Sequence, residues 1–93
     1  MAYRVRVDDS AAREIRKAAK DVQGRVIAKA ETLADDPRPP GCKKLKGVDD
    51  LYRVRAGSYR IVYRVDDKAL LVLVVSLGDR AGVYERLRRK LAR

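Results

Sequence analysis

Residues 51–65 read LYRVRAGSYRIVYRV, a run in which apolar and basic residues trade places almost step by step. Successive side chains of an extended strand point to opposite faces, so Tyr52, Val54 and Ala56 share one side and Arg53 and Arg55 the other. Gly57 and Ser58 interrupt the run. Beyond them Tyr59, Ile61, Tyr63 and Val65 face one way while Arg60, Val62 and Arg64 face the other. A connection this short joins the two strands as an antiparallel hairpin. Asp66, Asp67 and Lys68 then turn the chain again. Leu70 to Leu77 is nearly continuous aliphatic, the pattern of a strand covered on both faces or central in its sheet, and Gly78 and Asp79 end it.

Upstream, the run Asp36-Pro37-Arg38-Pro39-Pro40-Gly41 stops helical structure, because proline lacks the amide donor and restricts its predecessor. Before it, Ala12, Ile15, Ala19, Val22, Val26, Ala30 and Leu33 recur at spacings of three and four, so an apolar helical stripe runs through residues 11–35. Asp21, with Gly24 close behind, divides that stripe into two helices, Asp21 serving as the second N-cap. Tyr3 to Val7 alternates with Arg4 and Arg6 as a short strand does, and Asp8, Asp9 and Ser10 supply the first cap. The tail from Ala81 carries Val83, Leu87 and Leu91 at helical spacing. The expectation is an α+β domain of order β-α-α-β-β-β-α spanning residues 1–93, with an N-terminal helical hairpin packed on one face of a small, mainly antiparallel sheet. The pattern orders the hairpin and the strand after it and leaves the place of the first strand open.

Ninety-three residues hold one core and not two. The chain carries 23 Lys and Arg against 13 Asp and Glu and no histidine, a net charge of +10, which points to a polyanionic partner with nucleic acid first. All of the excess comes from two blocks, residues 41–64 and 80–93. Histidine chemistry is excluded by composition. The single Cys42 makes no intramolecular disulfide and no cysteine-rich zinc site, and its neighbours Lys43 and Lys44 do not make it a nucleophile without a histidine partner. No apolar run before the first helix reaches the length of a signal-peptide core and no transmembrane segment appears, so a cytoplasmic protein without membrane contact, metal or small-molecule cofactor is expected.

The period of two places Arg53 and Arg55 on one strand face, and the hairpin brings Arg60 beside them. Like charges at that distance destabilise a sheet, and a phosphodiester bound across them would offset the cost. The competing reading has each arginine extend separately into solvent or pair with Asp49, Asp50 or Glu85. Arg80 ends the last strand and Tyr84 follows four residues later, where it serves either over the arginine face or as a core aromatic of the last helix. Tyr52, Tyr59 and Tyr63 lie on the apolar side of their strands and read as core.

The ordered set Lys44-Leu45-Lys46-Gly47, Leu51-Tyr52-Arg53-Val54-Arg55, Gly57-Ser58-Tyr59-Arg60-Ile61-Val62-Tyr63 and Gly78-Asp79-Arg80-Ala81-Gly82-Val83-Tyr84 resembles the RelE branch of the RelE/ParE toxin superfamily. The resemblance covers essentially the whole chain. It implies the RelE/ParE-like fold and a type II toxin that cuts messenger RNA in the ribosomal A site and is silenced by a cognate antitoxin. Carried over position by position, it implies catalytic roles for Arg53, Arg55, Arg60, Arg80 and Tyr84. The best-known members have lysine at the first two of these positions, and arginine there keeps the charge but does not shed a proton. Many relatives have histidine where this chain has Asp79, a carboxylate next to Arg80.

RNA brings its own nucleophile, the 2′-hydroxyl, so alignment and charge stabilisation suffice for a cleavage without metal or histidine. In that scheme Tyr84 attends the 2′-hydroxyl, the strand arginines stabilise the phosphorane and Arg80 attends the leaving oxygen. Lys43, Lys44 and Lys46, with Arg86, Arg88, Arg89 and Lys90 of the tail, are the expected contacts to RNA and the ribosome. The alternatives are a ParE-like inhibitor of DNA gyrase and a basic RNA-binding module without catalysis.

Overall fold

A computed structural model describes residues 2–45 and 51–78. The hairpin forms as the alternation requires: β3 (Leu51–Ala56) and β4 (Tyr59–Asp66) pair antiparallel across the two-residue connection Gly57-Ser58. Gly57 adopts φ +63° and no such value recurs at Ser58, the pattern of a type II′ turn, whose twist matches that of the flanking strands. β5 (Leu71–Gly78) returns antiparallel to β4. Leu70, at the corner between them, is held at φ +53°, a left-handed conformation unusual for a branched side chain. Its carbonyl accepts the amide of Arg4 at 2.8 Å, and this starts the pairing of β1 (Arg4–Val7).

β1 runs parallel to β5, and the sheet is mixed and five-stranded in the order β1-β5-β4-β3-β2. The outermost strand, β2, is only Lys43–Lys44, which the sequence shows merely as part of a connection. Two residues carry no periodicity, so β2 exists by pairing with β3 and not by propensity. The expected helix in the tail lies outside the described residues.

α1 (Asp9–Lys17) starts where Asp8 accepts the Ala11 amide at 2.9 Å, with Asp9 in the first turn and Arg16 and Lys17 in the last, each charge favourable to the helix dipole. α2 (Lys20–Thr32) departs from the sequence reading. Its N-cap is Ala19, which has no capping side chain, and Asp21 sits inside the first turn instead. The chain turns because Ala18 and Ala19 are both extended, and the Gln23 side chain donates to the Ala18 carbonyl at 2.8 Å. That bond satisfies an orphan acceptor at the end of α1 from the next helix. The early corner also shifts the apolar stripe: Ala11 is fully buried where Ala12 was expected, and Ala19 is exposed. Gly24, read as part of the break, lies within α2.

Both helices cover one face of the sheet. There Val26, Ala30 and Leu33 pack with Val54, Ile61, Tyr63, Val65, Val72, Val74 and Leu77, all buried. Each fully buried aliphatic or aromatic side chain of this kind contributes roughly 1.5–3 kcal/mol. The proline-rich connection is fastened to this core by a chain of polar contacts. Tyr63 stacks on Tyr52 with ring centroids 6.0 Å apart and donates its hydroxyl to the Pro37 carbonyl at 2.7 Å. The Arg38 guanidinium lies 5.1 Å from the Tyr52 ring centroid, donates to the Tyr52 hydroxyl, and forms a two-pronged contact with Asp67 at 3.1 and 2.9 Å. Tyr3 donates to the same carboxylate at 2.7 Å. One carboxylate thus joins the first residues, the proline loop and the turn after β4. The Arg38 and Tyr3 donors hold the Asp67 carboxyl below its ordinary range, and burial pushes the Tyr63 phenol up.

Two substitutions test this account with opposite signs. Gly24→Ala should stabilise the protein by about 0.5–1 kcal/mol, because an added Cβ meets nothing within 4 Å and a helix-interior glycine carries excess chain entropy. Tyr63→Phe should destabilise by about 1–2 kcal/mol, because it strands the Pro37 carbonyl in the core. Both are read as shifts of the urea midpoint at constant m-value.

Candidate nucleic-acid interface

The sheet face opposite the helices has a different composition. Leu51, Val62 and Val75 form a small buried cluster there, with Leu45 and Leu73 partly buried against it. Around that cluster the register sets the cations. Arg55 stands directly across from Arg60, and Arg60 is paired on its other side with Gly78, which puts no side chain next to it. One row along, Lys43, Arg53, Val62 and Ser76 line up across four strands. Directly opposed residues have Cβ atoms about 4.5–5.5 Å apart, within the span of a single phosphodiester group. Arg55 is exposed, Arg53 and Arg60 are partly so, and Lys43 is open to solvent on the edge strand.

Ser76 reaches this face through an irregularity. Val62 pairs with Ser76 and Tyr63 with Val74, so β5 advances by one residue more than β4 across this step. Without the bulge, strict alternation from Val72 and Val74 would bury Ser76 under the helices and turn Leu77 outward. With it, Leu77 is buried in the main core and Ser76 sits, partly buried, in the row of Arg53. Bulges re-aim side chains in this way beside functional surfaces. The serine is the lone polar residue in an aliphatic strand, a signal visible in the sequence whose face was not. Arg25 was also missed: from α2 its Nη1 comes within 3.4 Å of where a Cβ on Gly57 would lie, which brings another cation to the hairpin tip.

Positive charge is concentrated in the strands. The strands contain Arg4, Arg6, Lys43, Lys44, Arg53, Arg55, Arg60 and Arg64, and their one carboxylate is Asp66. The helices carry Asp9, Glu14, Asp21 and Glu31 against Arg13, Arg16, Lys17, Lys20, Arg25 and Lys29, a much smaller excess. Among the described residues the one ion pair is Arg38 with Asp67, away from the arginine rows. An anion is the complement of such a surface, and guanidiniums suit it because they present paired donors to phosphate oxygens.

The expected site residues thus divide into two groups. Arg53, Arg55 and Arg60 come together on one face with Lys43, whereas Lys44 pairs with Tyr52 one step along the edge strand. Lys46, Arg80, Tyr84, Arg86, Arg88, Arg89 and Lys90 lie outside the described residues. Cys42 packs against the main core and not in the cationic rows. Tyr52, Tyr59 and Tyr63 belong to that core as well, as their alternation requires. No group of histidine, cysteine and carboxylate side chains suited to a metal occurs among the described residues, nor does any helix there have the length and apolarity to cross a membrane.

Comparison with known proteins agrees with this architecture. The family model for the ParE toxin of the type II toxin-antitoxin system parDE matches residues 5–84. The chain is 35% identical over 96 residues to a putative RelE-like toxin protein of Escherichia coli, an alignment covering 95% of this chain and 100% of that protein. It is 33% identical over 95 residues to the mRNA interferase toxin RelE of E. coli strain K12, covering 98% and 99%. Among solved structures, a double arginine-to-alanine mutant of E. coli RelE in the free state superimposes with a TM-score of 0.80 at 32% identity, covering 98% of this chain and 99% of that one. The RelE chain of the intact E. coli RelBE toxin-antitoxin complex gives 0.73 at 33% identity, covering 85% and 98%.

The opposition of Arg55 and Arg60 yields a prediction that separates binding from stability. Replacing Arg55 by Thr removes a like-charge pair and adds a β-branched residue, so it should raise stability by about 0.5 kcal/mol. The same change should weaken binding of a short RNA oligonucleotide and lower the salt dependence of that binding by about one phosphate contact. Thermal melting and fluorescence anisotropy on the same preparation check both signs.

Proposed function

This chain belongs to the RelE branch of the RelE/ParE superfamily of type II toxins, and from that premise we propose that it is a ribosome-dependent endoribonuclease that cleaves messenger RNA in the A site. The observation that carries the reading is the row of Arg55 facing Arg60 with Arg53 beside them, on a face whose strands hold almost no negative charge. Relatives named mRNA interferases supply the class of reaction. The RelE–RelB complexes among the structural neighbours support a cognate antitoxin as the partner that keeps this chain inactive.

In the proposed reaction the 2′-oxygen of one nucleotide attacks the phosphorus that follows it, and the bond from phosphorus to the next 5′-oxygen breaks. The product ends are a 2′,3′-cyclic phosphate and a 5′-hydroxyl, which balance without water, metal or cofactor. Negative charge accumulates on the phosphoryl oxygens in the transition state. Arg53, Arg55 and Arg60 are placed to stabilise it, and fixed cations contribute more there than in water because they need no reorganisation. Tyr84 receives the 2′-hydroxyl as stacking platform and proton acceptor, and Arg80 stands by the departing oxygen. A free phenol, with a pKa near about 10, is mostly protonated at neutral pH. The chemistry is therefore slow on free RNA, and the ribosome contributes by holding the codon in line. Lys43, Lys44 and Lys46 and the basic residues Arg86, Arg88, Arg89 and Lys90 guide docking through phosphate contacts.

Primer extension on messenger RNA from cells expressing the chain should show cuts phased to codons. Arg60→Ala should lower the cleavage rate roughly tenfold to a hundredfold, from the loss of one charge-assisted contact worth about 1.5–3 kcal/mol, without loss of fold. Tyr84→Ala should abolish cleavage and leave RNA binding in place. Retained cleavage in both variants would overturn the assignment. Because the matched family model is that of a ParE toxin, a gyrase supercoiling assay belongs beside these measurements: inhibition there with no codon-phased cuts would move the chain to the gyrase-directed class.

A further inference from the structure

The arginine face has a second end. β1 is in register with β5 so that Arg4 pairs with Leu71 and Arg6 with Leu73, and Leu73 is paired on its other side with Arg64. Leu73 belongs to the cluster on the face opposite the helices, so Arg6 and Arg64 flank it there, and Arg4 follows one pleat along β1. All three arginines are exposed, and among the described residues none has a carboxylate within ion-pair distance. Asp66, the one acidic residue in the strands, pairs with Leu71 and so shares this face in the row of Arg4; its Oδ1 accepts the amides of Lys68 and Ala69 in the turn, and the three arginines outnumber its single charge. We infer that Arg4, Arg6 and Arg64 form a second RNA contact, separate from the cleavage site, that grips the phosphate backbone of ribosomal RNA.

Three observations choose that occupant. The first is distance: Arg6 on β1 lies three strands across from Arg53 on β3, about 14 Å at the spacing of strands, with Leu73 between, and Arg64, paired with Leu51, is the member nearest Arg53. The second is shape. Arg6, Leu73 and Arg64 span three adjacent strands, about 10 Å, so the cations straddle a low apolar ridge and suit phosphates on either side of a groove better than one extended strand. The third is what this end lacks. Single-stranded RNA is held by stacking on aromatic rings, whereas structured RNA is held by its backbone. Tyr3, Tyr52, Tyr59 and Tyr63 all pack on the core under the helices, so the described residues offer this end no stacking platform. A contact made only of arginines reads phosphate without sequence, which suits a toxin that must seat on the same ribosomal surface whatever codon occupies the A site. The inference rests on the proposed ribosome-dependent function and adds to it a surface that the cleavage chemistry does not use.

The test compares the full-length wild type with R4Q/R6Q/R64Q and with R4K/R6K/R64K, by pelleting with purified bacterial ribosomes across a potassium chloride titration. The glutamine variant should bind at least about tenfold more weakly near 0.1 M salt, and its plot of log affinity against log salt should be shallower by about two to three, the slope expected of three lost phosphate contacts. The lysine variant should keep the wild-type slope, and both should cleave a short free RNA oligonucleotide at the wild-type rate. Unchanged pelleting and slope in the glutamine variant would overturn the inference, as would a lysine variant that also loses the slope. An equal fall in affinity for a 2′-O-methyl oligonucleotide would assign the arginines to the messenger strand and overturn it as well. If the wild type does not pellet with ribosomes at all, the ribosome-dependent function falls and this contact with it; if wild type and glutamine variant pellet alike, the second contact alone falls.

Discussion

The register of the β3–β4 hairpin is the constraint on which both faces of the molecule depend. Side chains alternate along each strand, so a slip of one residue would exchange Tyr52, Val54 and Ala56 for Arg53 and Arg55 on the side covered by the helices. Burying two unpaired guanidiniums is far more costly than any local turn strain, so the register is fixed by the difference between the two faces. Gly57 helps because its positive φ gives the connection the twist of the strands, and Ala56 and Tyr59 then meet directly across it. The arrangement that makes the core makes the cationic row at the same time.

The second constraint is the fastening of the proline-rich connection. Pro37, Pro39 and Pro40 make residues 37–40 poor in amide donors, so this segment cannot tie itself down by backbone bonds alone. Arg38 and Tyr63 do it instead, one through Asp67 and the Tyr52 ring, the other through the Pro37 carbonyl. The consequence appears further along the chain. Leu45 donates its amide to the Leu51 carbonyl, and Lys43 and Lys44 pair with β3 as its outer neighbour, so fixing the loop helps to position Lys43 beside Arg53. A surface contact that is worth little as an isolated ion pair acquires a role by holding an edge strand in place.

How far the sequence disclosed this follows from the range of each interaction. The hairpin and the aliphatic strand were legible because a period of two is a local signal that burial reinforces. The first strand was legible as a strand but not as a parallel neighbour of β5, since that pairing joins residues more than sixty positions apart and leaves no local pattern. The corner between the helices was misplaced because Ala18 and Ala19 look like helix and are held extended by their surroundings. Asp21, a good N-cap by type, was free to serve the first turn instead. The face of Ser76 was hidden for a related reason: alternation assigns it to the core, and only the bulge against β4 turns it outward. Of the candidate site, the grouping of Arg53, Arg55 and Arg60 was readable from alternation plus a two-residue connection. Alternation put Arg64 on that face as well, and the extension to Arg4 and Arg6 required the parallel register.

These arginines also limit what kind of catalyst the proposed enzyme can be. Guanidinium keeps its proton at any physiological pH, so the positions on β3 contribute charge and geometry and no proton transfer. Proton acceptance then falls to a phenol or to water, both poor at neutrality, and the rate must come from alignment of the 2′-oxygen with phosphorus and from stabilised charge on the phosphoryl oxygens. Alignment is the part a small rigid sheet does least well by itself, because a flexible RNA strand brings many conformers and few of them are in line. A ribosome that already holds the codon in one conformation removes that burden. A histidine-free, arginine-rich face is thus a coherent solution for a nuclease whose substrate arrives ordered, and a weak one for a nuclease that must order it. The same reasoning gives a cationic surface away from the scissile bond a purpose, since seating on the body that presents the substrate matters as much to the rate as the groups that touch the phosphate.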